Sequence, residues 1–99
     1  SGKTIIAICA LFYMLESGYQ GALMAPTEVL AKQHYIEILE LFKDLPYQVE
    51  LLTGSTTAAQ KKRCYQNLQD GTTSLVIGTH ALIEDKVTFK NFSQYILKV

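Results

Sequence analysis

The chain has 99 residues, 48% of them hydrophobic and 18% charged, which describes a packed chain with one core and excludes a disordered segment or a pair of domains. Nine acidic and nine basic residues leave no net charge. That excludes a chain drawn to nucleic acid or membrane by bulk charge, so any such contact is local and made by a few placed groups.

The sequence opens on Ser1-Gly2-Lys3-Thr4 and continues as a strongly apolar helix predicted from Gly2 to about Ser17. Gly18 stops it, as glycine commonly does at helix C-termini. The apolar run is too short to span a bilayer, is closed by Lys3 and Glu16, and lacks a charged leader with a cleavage site. A buried helix is therefore expected, not a membrane or signal segment. A short buried strand at about residues 22–25 follows and ends at Pro26. Thr27 is placed to cap the next helix, with Glu28 in its first turn. Ala31, Tyr35, Ile38 and Phe42 recur at helical spacing and mark its inner face, with His34 a structural residue at the edge of that stripe.

A turn at Leu45-Pro46 leads to a strand at about residues 48–53 and the exit Thr53-Gly54-Ser55. A polar helix beginning at Ala58 is stopped by Gly71, and Lys61-Lys62-Arg63 reads as its solvated face. The run Ser74-Leu75-Val76-Ile77 is a continuous apolar strand with Gly78-Thr79-His80 at its exit. Residues 81–89 read as a helical turn and loop, and Tyr95 to Val99 as a last strand. Cys9 and Cys64 stand far apart on predicted helices and are expected as buried structural thiols. His80 has no second ligand at metal spacing, and the six tyrosines are not interleaved with basic residues as a base-stacking platform requires.

This alternation predicts an α/β fold, a three-layer parallel sheet with flanking helices, and the continuous apolar strands fit a sheet covered on both faces. In such sheets ligands bind at the carboxyl ends of the strands. Ser1, Gly2, Lys3 and Thr4 supply three of the four defining positions of Gly-x-x-x-x-Gly-Lys-Ser/Thr. In that motif backbone amides hold phosphate oxygens, the lysine reaches the β- and γ-phosphates, and the hydroxyl ligates Mg²⁺. Taken alone, the tetrapeptide fits a phosphate loop and a capped helix start equally. Pro26-Thr27-Glu28 fits a plain cap or a phosphate of a nucleic-acid backbone. Thr53-Gly54-Ser55 suits such a backbone or any turn. Gly78-Thr79-His80 offers close backbone approach and a hydroxyl, with His80 open to a role as base, ligand or packing residue.

In this order and spacing, SGKT, APTEVLAKQH, TGS and VIGTHALI resemble the first RecA-like motor domain of superfamily 2 DNA helicases, closest to the branch-remodelling RecG type. Transcription-repair coupling translocases are the near alternative, from which Glu28 and Ala81 lean away. The resemblance covers residues 1–99 as a partial N-terminal RecA-like ATP-binding domain of the P-loop class. It implies that the sequence is truncated at both ends, beginning inside the first ATP motif and stopping one residue short of the second. An Asp-Glu-x-His box is accordingly expected after Val99, and no catalytic residue then falls within the chain. The resemblance further implies ATP and Mg²⁺ as cofactors, bound by Ser1, Gly2, Lys3 and Thr4, with Thr4 the magnesium ligand. It implies that Pro26, Thr27, Glu28, Thr53, Gly54, Gly78, Thr79 and His80 grip a DNA backbone or support that surface. Gln33 and His34 match the pattern and would position the preceding loop, whereas Lys98 departs from the apolar character expected before the acidic box. Implied partners are branched or double-stranded DNA and the remaining helicase domains of the same chain, in the cytoplasm and away from membranes. A different P-loop enzyme, such as a small-molecule kinase, would need an arginine-rich lid, and Arg63 is the sole arginine. A non-catalytic DNA-binding module is the third reading, which the salt dependence of DNA affinity would separate.

Overall fold

A computed structural model of the chain describes residues 2–79 and 94–98, with side chains over residues 5–79. Its elements run α1 (Gly2–Glu16), β1 (Gln20–Ala25), α2 (Glu28–Leu41), β2 (Val49–Leu52), α3 (Ala58–Asp70), β3 (Leu75–Thr79) and β4 (Gln94–Lys98). The four strands form one parallel sheet in the order β2-β3-β1-β4. The connection from β1 through α2 steps outward past β3 to β2, and the connection through α3 steps back to β3. Right-handed crossovers that move in opposite directions put their helices on opposite faces. The sheet divides the single expected core into two clusters, one on each face, and with them come the three layers expected from the sequence. On one face Leu11, Met14 and Leu15 of α1, with Ala31 and Ile38 of α2 and Phe42 just after it, meet Leu23, Ala25, Leu75 and Ile77 of the sheet. On the other, Cys64 and Leu68 of α3 meet Ala22, Met24, Leu52 and Val76.

The central strands are buried on both sides, β1 along its whole length and β3 over its first four residues. Edge strand β2 is buried only at its two ends. Fully buried leucine and isoleucine side chains such as Leu11, Leu23, Ile38 and Ile77 each contribute about 1.5–3 kcal/mol through burial. Phe42 anchors the lower end of the first core, with its ring centroid 6.1 Å from those of Phe12 and Tyr47. Gly21 lets α1 lie close on β1, because a Cβ there would stand 2.9 Å from Met14 Cε and 3.3 Å from Leu11 Cδ2. The two predicted glycine stops hold for a stated reason: Gly18 (φ 89°) and Gly71 (φ 86°) both adopt the left-handed conformation, which side chains disfavour.

Burial on the first helix and two strand boundaries depart from expectation. The first helix is not buried all round, since Ile5, Ile6 and Tyr13 are 64%, 70% and 75% exposed. Only the Leu11, Met14 and Leu15 side of α1 faces the sheet. Cys9 is exposed for the same reason: two residues before Leu11 it lies about 200° around the helix, on the far side. Cys64 is buried as expected. Strand β1 also begins two residues earlier than predicted. Gln20 is buried, and its Nε2 donates to the carbonyls of Leu68 and Thr73, both at 2.9 Å, tying the strand's start to the end of α3. The last strand is shifted by one residue, since β4 pairs with β1 from Gln94 opposite Gln20 to Lys98 opposite Met24. Val99, predicted as its final residue, lies outside the described residues, as does the predicted turn and loop over residues 81–89.

Candidate functional site

The parallel register fixes which loops share an edge. Ala25 pairs with Thr79, and Leu52 with Gly78, so Pro26 and Thr53 emerge at one level, beside the end of β3. Gly78 and Thr79 are the last residues of that strand, not its exit. Helix α1 has 15 residues, about 22 Å of axial rise, and β1 has 6 residues, about 20 Å. Running antiparallel to β1, α1 therefore starts at the same carboxyl edge. Its first turn carries Gly2, Lys3 and Thr4, and the first amides of a helix have no partner within it.

Around Pro26 the chain leaves β1 and turns. Thr27 is extended (φ −133°, ψ 158°), and its hydroxyl accepts the Leu30 amide at 3.2 Å, capping α2. The next side chain reaches across to the loop after β2: Glu28 Oε1 accepts the Ser55 hydroxyl at 2.9 Å and the Ser55 amide at 3.3 Å. That loop is itself cross-tied. Thr53 is buried, its amide donates to Thr56 Oγ1 at 3.0 Å, and its hydroxyl lies 3.0 Å from Ser55 Oγ. Thr57 then opens α3 with a reciprocal cap, accepting the Gln60 amide at 3.2 Å while its own amide donates to Gln60 Oε1 at 3.1 Å. Gly54 is exposed, with nothing within 4 Å of where a Cβ would stand. Its missing side chain leaves the backbone open to approach from outside.

The Thr53 hydroxyl, then the Ser55 hydroxyl and amide, hold the Glu28 carboxyl below the usual glutamate range, with Lys32 adding a smaller pull. Burial, then the neighbouring Glu50 carboxylate, push the Cys64 thiol well up, so it stays protonated and is no nucleophile at neutral pH. Among the described residues no group of His, Cys, Asp and Glu is arranged to hold a metal ion, and no helix is long and apolar enough to cross a membrane.

Of the residues singled out in the sequence, Pro26, Thr27, Glu28, Thr53, Gly54, Gly78 and Thr79 stand together at this edge, and the first turn of α1 brings Gly2, Lys3 and Thr4 to it. Ser1 and His80 lie outside the described residues, and so does Val99, after which the acidic box is expected. Strand β4 reaches Lys98 beside Met24, one residue short of the level of Ala25. Gln33 is exposed on α2, while His34 is buried and its Nδ1 has no partner among the described residues. Sequence reading did not single out Thr56, Thr57 and Gln60. For the last two the signal was present, since Thr57-Ala58-Ala59-Gln60 is a capping-box pattern. The Glu28–Ser55 contact crosses 27 positions and left no local trace.

A parallel sheet covered by helices on both faces, with a Gly-Lys-Thr helix start and hydroxyl-rich strand exits along one edge, is the architecture of a RecA-like P-loop domain. The model of the DEAD/DEAH box helicase family matches residues 1–98, and the chain belongs to that family. Within it the similarity runs to RecG. The chain is 50% identical over 97 residues to the ATP-dependent DNA helicase RecG of Aquifex aeolicus (strain VF5), covering 98% of this chain and 12% of that protein. It is 46% identical over 96 residues to RecG of Bacillus subtilis (strain 168), covering 97% of this chain and 14% of that one. A solved structure of RecG bound to a three-way DNA junction superimposes with a TM-score of 0.84 at 35% identity, over 99% of this chain and 16% of that one. The chain thus spans about an eighth of the length of the relatives it matches.

Proposed function

We propose that this segment is the front part of the first RecA-like motor domain of an ATP-dependent translocase. It acts in the cytoplasm on branched or double-stranded DNA, remodelling stalled forks and Holliday junctions together with the remaining helicase domains of its own chain. The observation that carries the proposal is the joining of two strand exits by Glu28 and Ser55 at the edge where α1 begins. Ser1, Gly2, Lys3 and Thr4 hold the nucleotide. Free amides of the first turn take phosphate oxygens, and the Lys3 ammonium reaches the β- and γ-phosphates. The backbone of that turn fits such a group, and a magnesium ion held by the Thr4 hydroxyl would neutralise phosphate charge there.

The DNA side of the edge is made of Pro26, Thr27, Thr53, Gly54, Gly78, Thr79 and His80. Exposed Gly54 offers open backbone to a phosphate, while buried Thr53 and Gly78 shape the surface from within; backbone contacts of this kind read no bases, which suits a motor that moves along any sequence. Glu28 supports the surface and does not touch DNA, because its carboxylate is engaged by Ser55. The acidic pair that hydrolysis requires is expected after Val99, and the arginine belongs to a further domain of the protein.

The test is ATP hydrolysis by the full-length protein with and without a three-way junction. Junction DNA is expected to stimulate hydrolysis, and Lys3→Ala to lower it about 100-fold or more, as loss of a preorganised charge contact does. Hydrolysis that ignores DNA, or survives Lys3→Ala, would refute the reading.

A further inference from the structure

Helix α3 carries a charge cluster that the strand exits do not use. Lys61, Lys62 and Arg63 put three of the chain's nine cations in a single turn, and residues 51–69 include no acidic residue. A chain with no net charge thus gathers positive charge at one place. The placement does not favour the helix itself, whose positive dipole end lies just before it and whose first turn has no acidic residue. None of the three makes an ion pair among the described residues, where the sole salt bridge is Lys43–Glu40. The Glu50 carboxylate on the sheet below is turned to Asn67 and Gln48, at 3.3 and 3.4 Å.

The cluster points outward. Cys64 and Leu68 hold α3 on the sheet. Lys62 lies about 200° round the helix from Cys64, with Lys61 and Arg63 about 100° to either side of it. Lys62 and Arg63 are exposed and Lys61 is half-buried. The Lys61 amide donates to the Thr57 carbonyl at 2.9 Å and closes the first turn, so the cluster stands just inside the helix start, close to exposed Gly54 and Ser55. Arg63 borders the same recess as Ser55, Thr56 and Gln60. The side chains supply the attraction, not the helix end, because Thr57 and Gln60 cap each other's amides. Bases find no stacking face here: Tyr65, the one aromatic residue of α3, packs against the core.

We propose that this turn of α3 is a second backbone contact for duplex DNA, gripping phosphates of the arm that continues past the Thr53–Ser55 loop. Lys62 and Arg63 meet phosphate oxygens directly, and Lys61 adds charge from the other flank. A duplex is the occupant because its paired bases turn inward and leave phosphates outside, matching a face with cations and no free aromatic ring. The inference rests on the DNA-binding reading above and extends its footprint from the loops to a helix.

The test is the salt dependence of junction affinity of the full-length protein, between about 50 and 200 mM salt. Each direct phosphate contact adds about 0.9 to the slope of log affinity against log salt. Lys62→Gln and Arg63→Gln should each make the slope shallower by about that amount, and the triple glutamine variant by about two to three. Lys62→Arg keeps the charge and should keep the wild-type slope. Lys43→Gln removes a like charge just past the other end of α2 and should change nothing. On a single-stranded oligonucleotide the variants should match the wild type. Thermal melts verify folding, and the single variants, both at exposed positions, decide the matter where the triple variant does not fold. Wild-type slopes in folded variants overturn the inference and leave the DNA reading intact. So does an equal fall for Lys43→Gln, since net charge would then suffice. An equal fall on the single strand overturns the duplex as the occupant. A wild-type protein that does not bind the junction overturns both readings.

Discussion

On the proposed DNA-binding surface a carboxylate at the rim would repel phosphate unless its charge were engaged elsewhere. Glu28 directs it to Ser55, and the Thr53 and Ser55 hydroxyls keep it ionised below the usual glutamate range. A carboxyl whose folded pKa is lowered stabilises the fold above its unfolded pKa, and loses that contribution as pH falls through the folded value. The contact is thus fully present at neutral pH and opens only under acid. In a titration followed by NMR, Glu28 should show a midpoint below that of free glutamate. Ser55→Ala should move the midpoint upward; a midpoint indifferent to that change would contradict the contact. Gln20 offers a second residue-scale test. Gln20→Ala leaves the Leu68 and Thr73 carbonyls without this donor in a buried setting, and denaturant melts should register a loss of about 1–3 kcal/mol. Neither residue announced its role in the sequence, because both act on partners brought close only by the fold.

The elements were more legible than the contacts between them. Glycine stops and the shift between period-2 and helical patterning marked three helices and four strands, and the structure has them in that order. Boundaries moved where a polar residue was structural, as at Gln20. Burial was misjudged on α1 because a helix apolar on every side does not say which side meets the sheet; the sheet selects Leu11, Met14 and Leu15 and leaves Cys9 and Tyr13 outside. The site was half legible: the motif residues were visible, but the Glu28–Ser55 tie needed three dimensions. At this scale Gly71→Ala should cost about 1–2 kcal/mol, since alanine must enter the left-handed region to end α3. A melt unchanged by this substitution would mean that the cap re-forms elsewhere.

For the molecule as a whole, β2 and β4 present open edges among the described residues, and α1 and α2 expose Ile5, Ile6, Tyr13, Val29 and Ile36. Open edges and apolar faces invite pairing with other chains. The 99-residue chain by itself should hydrolyse no ATP above background and should associate in light scattering. Steady turnover by this segment alone would contradict its assignment as part of a larger motor.

The account turns on the two strand exits acting as one DNA-binding surface because Glu28 and Ser55 join them. The most direct measurement is a double-mutant cycle on junction affinity of the full-length protein, at fixed salt, with Glu28→Gln, Ser55→Ala and the pair. Each single change should weaken binding, and the pair should weaken it little more than either alone, since both remove the same tie. Losses that simply add, or single changes without effect, would show that the exits work independently and would contradict the account.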